Sequence, residues 1–164
     1  MKKGPLRLLL DTNILLDEYI PTRPSSVESR QLIGLALEQG HSLLYVGRAI
    51  VDVHYVISHT FKQMVREERG TVSEADALAI AEIAWGCVDN LSEMATAVGM
   101  DNGDVWLARK YRALHDDFED NFVLAAAERA GADFLITSDR QLLRKATIAA
   151  LSPKDMLALL NATA

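Results

Sequence analysis

The sequence predicts an α/β sandwich in which a central, mainly parallel β-sheet is covered on both faces by helices. Three observations predict it. The runs "LRLLL", "SLLYVG" and "DFLITSD" are short, continuous and apolar, as expected of strands buried on both faces. The segments between them have helical spacing, with capping residues before them and glycine or proline after them. Strands joined by helical crossovers run parallel, because only such a crossover returns the chain to the same edge.

Each element has its own signal. "LRLLL" is bounded by Pro5 and Asp11, and "TNILLDEYI" then takes helical spacing until Pro21 and Pro24 close it. "SSVESRQLIGLALEQG" is an amphipathic helix with a serine cap and Gly40 as its stop. "SLLYVG" is the second buried strand and "RAIVDVHYVISHTFKQMVREERG" a long helix. Ser73, with Asp76 three residues on, opens "SEADALAIAEIAWGCVDN" with a near relative of the capping box. "EMATAV" reads as a short edge strand, "DVWLARKYRALH" as a helix, and "FEDNFVLAAAERAG" as a helix ending at Gly131. After "DFLITSD" come "RQLLRK", a short strand "TIAAL" and a final helix with Pro153 in its first turn.

At 164 residues, with 49% hydrophobic and 24% charged, the chain is expected to form a single domain over residues 1–164. The one cysteine, Cys87, lies inside the helical "EIAWGCVDN", which excludes a disulfide framework and fits a structural thiol in a reducing cytoplasm. The apolar run at the start is cut by Gly4, Pro5, Arg7 and Asp11 before a signal-peptide core could form, and no apolar stretch is long enough to span a membrane. A net charge of −6 argues against coating nucleic acid by bulk electrostatics. It leaves room for a local grip, because carboxylates gathered around a metal lower the total while basic residues elsewhere still line a groove.

The acids are placed unevenly. In open α/β sheets, ligands bind outside the carboxyl ends of the strands. Asp11 and Asp139 follow two such ends, Asp52 lies one turn into the helix after "SLLYVG", and Asp117 and Asp120 start the helix that leads into "DFLITSD". Carboxylates brought together raise one another's pKa unless a cation neutralises them. Oxygen-only ligands suit Mg²⁺ or Mn²⁺, and such an ion can activate water for displacement at phosphorus. Each acid also has a plain structural reading: Asp11 as a helix N-cap, Asn13 as a turn residue, Asp52 as a surface acid, and Thr137 with Asp139 as a capped turn.

The segments "LLLDTNILLD", "DFEDNFVLAAAERAGADFLITSD" and "LSPKDMLALL" together resemble the PIN domain of VapC-type toxins, in order and over nearly the whole length. The resemblance implies a PIN-like α/β/α sandwich and a metal-dependent endoribonuclease that acts on RNA with Mg²⁺ or Mn²⁺. It also implies the toxin half of a toxin–antitoxin pair, with a small antitoxin protein as partner. Carried over residue by residue, it puts catalytic acids at Asp11, Asp52, Asp120 and Asp139, with metal ligands at Asp11, Asp120 and Asp139. Asn13 and Thr137 take supporting places, and Asp117 is added to them as a supporting residue on its own reading as a helix cap. Asp52 stands where the family commonly has a glutamate, a side chain one methylene longer.

Within "DDFEDNF", a helix beginning at Phe118 makes Asp117 its N-cap and leaves Asp120 as the metal-site acid, with Glu119 expected to point away. The apolar content of "LAIAEIAWGCV" exceeds what one packing face requires and predicts a homodimer, the alternative being a helix simply buried in the monomer.

Other chemistries fit less well. His54 and His59, five apart, point to different faces of a helix, and with His41 and His115 they read as structural or surface residues. "MDNGDV" lacks the downstream ligands of a calcium loop, and no phosphate-binding glycine motif occurs. A haloacid-dehalogenase-like phosphatase needs a second aspartate where this chain has Asn13, and a receiver domain needs a late lysine that cannot be placed. A PIN fold without chemistry and an RNA-processing nuclease outside any toxin–antitoxin pair are the remaining alternatives. Basic residues cluster in "ARKYR", in "DRQLLRK" and around Lys62, Arg66 and Arg69, and those flanking Asp139 sit where RNA phosphates are expected to run.

Overall fold

The structure, a computed structural model, describes residues 4–163. Met1–Lys3, with the two lysines of the chain's start, and Ala164 lie outside the described residues. The elements are β1 (Arg7–Leu10), α1 (Thr12–Tyr19), α2 (Ser26–Glu38), β2 (Ser42–Val46), α3 (Ala49–Arg69), α4 (Glu74–Met94) and β3 (Thr96–Val98). They are followed by α5 (Asn102–Tyr111), α6 (Phe118–Arg129), β4 (Phe134–Ile136), α7 (Arg140–Lys145), β5 (Ala150–Leu151) and α8 (Pro153–Thr163).

The five described strands form one sheet in the order β3-β2-β1-β4-β5, and every pairing is parallel. The expected α/β sandwich is therefore present, and its sheet is parallel throughout. β1 is central, and its leucines alternate between faces. Leu8 and Leu10 join the core under α1, α2, α3, α4 and α8, while Leu9 joins the core under α5, α6 and α7. A strand covered on both sides has no face on which polar residues are tolerated, which is why the run is unbroken. The chain builds from β1 through β2 to β3 on one side, then returns to the other side of β1 for β4 and β5. The switch point lies between β1 and β4, and the crevice outside their carboxyl ends is where Asp11 and Thr137 stand.

The edges depart from the sequence reading. α4 continues to Met94, leaving Thr96–Val98 of "EMATAV" as the edge strand, and only Ala150–Leu151 of "TIAAL" pairs. β5 pairs with β4 over two residues, with Leu135 matched to Ala150 and Ile136 to Leu151. Gly40 (φ 75°) and Gly131 (φ 62°) sit just past α2 and α6, in the left-handed region a side chain would strain. Arg129 clamps the far end of α6. It makes two hydrogen bonds to the buried Asp104, at 2.8 and 3.0 Å, and one to the Gly99 carbonyl, which ties α6 to α5 and to the loop after β3.

Candidate active site

Asp11 leaves β1 with its backbone N–H still bonded to the Ile136 carbonyl at 3.0 Å, so its position is fixed by the β1–β4 ladder. It caps α1 as the plain reading expected: one carboxylate oxygen, Oδ1, accepts from the Thr12 N–H at 2.7 Å. The other, Oδ2, accepts from the Thr137 hydroxyl at 2.8 Å. Capping and site membership are compatible here, since each oxygen keeps a lone pair beyond these bonds. Burial pushes the Asp11 carboxyl above its ordinary range. The bonds from Thr137 and Thr12 oppose that, and the charges of Asp139 and Glu119 add to it.

Thr137 is fully buried and works in both directions, since its hydroxyl also accepts from the Asp139 N–H at 3.0 Å. One side chain thus fixes both Asp11 and the backbone of Asp139. Asp139 caps α7, with Oδ1 accepting from Gln141 and Leu142 at 2.6 and 3.0 Å, while Oδ2 makes none of these bonds.

The third approach comes from α6. The helix begins at Phe118 and Asp117 is its N-cap, accepting from the N–H groups of Glu119 and Asp120 at 2.8 and 3.2 Å, as the sequence predicted. Asp120 is then the acid turned toward the other carboxylates. Burial lifts its pKa to about 6, followed by the charge of Asp117, with His115 opposing and Asp11 and Asp139 adding.

Two residues near it add to the site. His115 takes the structural of its two readings: it is buried, and its Nδ1 accepts from the Asp117 N–H at 2.9 Å. Its Nε2 stands 3.3 Å from Asp120 Oδ2 without hydrogen-bond geometry. Glu119, expected to point away, is felt at Asp11 and lines a cavity of about 140 Å³ together with Thr12 and Asp52. The amino end of α6 itself faces the crevice, so neighbouring first-turn side chains flank the site on two sides.

Asp52 lies in the first turn of α3, about a third exposed, with Oδ2 3.5 Å from Arg48 Nε. It lines the cavity that Thr12 and Glu119 also line, and it is not among the charges felt at Asp11 or Asp120. Asn13 is exposed, and its side-chain oxygen accepts from Arg23 at 3.3 Å. Arg23 in turn pairs with the buried Asp17 at 2.6 Å, which Ser29 also contacts at 2.9 Å. This network braces α1 against α2, and its members were not singled out by sequence, because a buried ion pair has no local spacing.

Among the described residues no three histidine, cysteine or acidic side chains are gathered tightly enough to cage an ion as they stand. The chemistry of the donors nonetheless fits a hard divalent cation. They are carboxylates only, and the burial that raises Asp11 and Asp120, with neighbouring carboxylate charge added to it, is what a bound positive charge would offset.

Fold and site together define an α/β protein of the acidic-crevice type, with carboxylates from three segments at a topological switch point. The chain belongs to the PIN domain family, whose sequence profile matches residues 7–141. No curated protein matches the sequence. Among solved structures it is similar to a chain in the crystal structure of VapBC2 from Rickettsia felis bound to a DNA fragment from their promoter. The TM-score is 0.61 at 12% identity, over 90% of this chain and 98% of that one. Identity at that level speaks for the fold. Among the described residues no helix is long and apolar enough to cross a membrane.

Proposed function

We propose that the protein is a Mg²⁺- or Mn²⁺-dependent endoribonuclease and the toxin of a toxin–antitoxin pair. The observation that carries this reading is the convergence of Asp11, Asp120 and Asp139, three carboxylates from different segments: Asp120 feels the charges of Asp11 and Asp139, and Asp11 feels that of Asp139. These three would hold the cation, with Asp52 supporting across the cavity. The chemistry a divalent cation supplies there is activation of water and neutralisation of charge at phosphorus. The chain's own residues orient the site: Thr137 holds Asp11 Oδ2 and the Asp139 backbone, and Asp117 anchors the turn that presents Asp120. Family membership supports the reading, since PIN domains are typically metal-dependent nucleases.

Partner binding has its own support. The α3–α4 pair carries Val51, Tyr55, Leu78, Ile83 and Trp85 as exposed large apolar residues. Apolar surface on this scale marks an interaction face, which fits a homodimer and a small antitoxin.

The test is incubation of purified protein with mixed structured and single-stranded RNAs, with Mg²⁺ or Mn²⁺ and with EDTA. Internal cleavage that stops in EDTA is expected, whereas cleavage that persists in EDTA would overturn the reading. Light scattering is expected to give a dimer mass at micromolar concentration, and a monomer throughout would remove the dimer.

A further inference from the structure

Two cavities meet at Phe118. The cavity of about 140 Å³ beside the acids has Phe118 in its lining, next to Phe122, with the two ring centroids 5.6 Å apart. A second, open cavity of about 490 Å³ between α5 and α6 is lined by Ala108, Arg109, Arg112, Asp116, Asn121 and again Phe118. Phe118 is 55% exposed although it sits in the first turn of a helix whose core face is well packed. An open aromatic face between an acidic crevice and an arginine-lined hollow does nothing for the core.

The floor of the second cavity carries an independent sign. Asn121 is 1% exposed, its Nδ2 donates to the His115 carbonyl at 2.7 Å, and its Oδ1 has no hydrogen-bond partner. The donor side of the amide is assigned by that bond, so the oxygen is the group left wanting a donor. Buried acceptors are ordinarily satisfied, and one that is not calls for an explanation in terms of something that binds. Above it, Arg109 and Arg112 are exposed and outside any ion pair among the described residues. The neighbouring Lys110 is already engaged over the Trp106 ring at 3.6 Å. Asp116 is the one acid in this lining against two guanidinium groups, so the hollow favours an anion.

We propose that this cavity is a nucleotide subsite of the RNA substrate, next to the phosphate that is cut. Arg109 and Arg112 take the backbone phosphate, the base stacks on Phe118, and an N–H or hydroxyl of the nucleotide donates to Asn121 Oδ1. Arginine, an aromatic face and a hydrogen-bond acceptor are the recurring means of holding an unstacked nucleotide. The proposal rests on the ribonuclease reading above and adds to it where the strand runs: past "ARKYR" at the end of α5.

The experiment uses Asp11→Asn protein, so that RNA is bound without being cut, and a short single-stranded RNA carrying a fluorescent purine analogue whose emission stacking quenches. Phe118→Ala in that background is expected to abolish the quench and weaken binding about ten-fold, in line with the loss of one base stack. Phe118→Trp should keep both. Arg109→Gln and Arg112→Gln should each lower the dependence of affinity on salt. Because Phe118 is exposed, its replacement leaves the core intact, and circular dichroism confirms folding. Unchanged quench and affinity in Phe118→Ala, with wild type still cutting RNA, would overturn the subsite and leave the ribonuclease reading standing. Loss of self-association in Phe118→Ala with RNA affinity retained would make the hollow a protein interface and overturn it equally. Wild type that neither binds nor cuts RNA would overturn both.

Discussion

Replacing Asp120 by asparagine removes one charge from the crowded crevice at nearly constant shape. The Asp120 pKa of about 6 in the fold lies above the ordinary 3.8, so the folded protein holds that proton more tightly than the unfolded chain. The stabilisation tied to the proton is complete below about pH 4 and is lost as pH rises through 6. The gap corresponds to about 3 kcal/mol at about 1.36 kcal/mol per unit. Solvent reaches 24% of the side chain, and screening lowers the expected figure to about 1–2 kcal/mol. Asp120→Asn should therefore be more stable than wild type by about 1–2 kcal/mol at pH 8, or roughly 2–8 °C in Tm. The difference should close toward pH 3.5, where both side chains are neutral. Saturating Mn²⁺ should stabilise wild type selectively and shrink the difference at pH 8, because the cation then neutralises the charge the substitution removes. Urea titrations across this pH range, with and without Mn²⁺, make the measurement. A variant less stable than wild type at pH 8, or a difference independent of pH, would show that the Asp120 charge is not disfavoured in the fold.

Three further outcomes are expected. Asp117→Ala should cost about 1 kcal/mol for the lost cap, with RNA cleavage reduced but measurable; a stable, inactive variant would mean that Asp117 and Asp120 have exchanged roles. Thr137→Val should cost about 1–3 kcal/mol in denaturant titration, because the Asp139 N–H and Asp11 Oδ2 both lose their partner, whereas Thr137→Ser should restore most of it. Asp52→Ala should weaken Mn²⁺ binding, so that cleavage needs more metal, and Asp52→Glu should keep or raise activity; an Asp52→Ala protein that cleaves like wild type at limiting metal would make Asp52 a surface acid paired with Arg48.

What was legible in the sequence follows its periodicities and caps. "LRLLL" and "FLI" could be read as buried strands because both faces are covered, and their carboxyl ends then located Asp11 and Asp139 without any side-chain information. The Asp117 cap could be read from the break before Phe118. His115 could not, because its contribution is a loop bond from its ring nitrogen to the Asp117 N–H, and such bonds have no period. Glu119 was misread for a geometric reason. Facing sides of a helix were judged as if the site lay along its flank, while the structure aims the helix end at the crevice, where successive residues rim it. At the β3 edge the expected strand is shortened because α4 runs on to Met94 and takes up the start of "EMATAV", and at the β5 edge only Ala150 and Leu151 of "TIAAL" pair.

The most direct measurement is the single-turnover rate of RNA cleavage as a function of Mn²⁺ concentration, for wild type and for Asp11→Asn, Asp120→Asn and Asp139→Asn. One cation shared by three carboxylates predicts a saturable, EDTA-sensitive rate for wild type, and for each variant a rate that is abolished or needs far more Mn²⁺. A variant with the wild-type rate and the wild-type Mn²⁺ midpoint would contradict the shared centre.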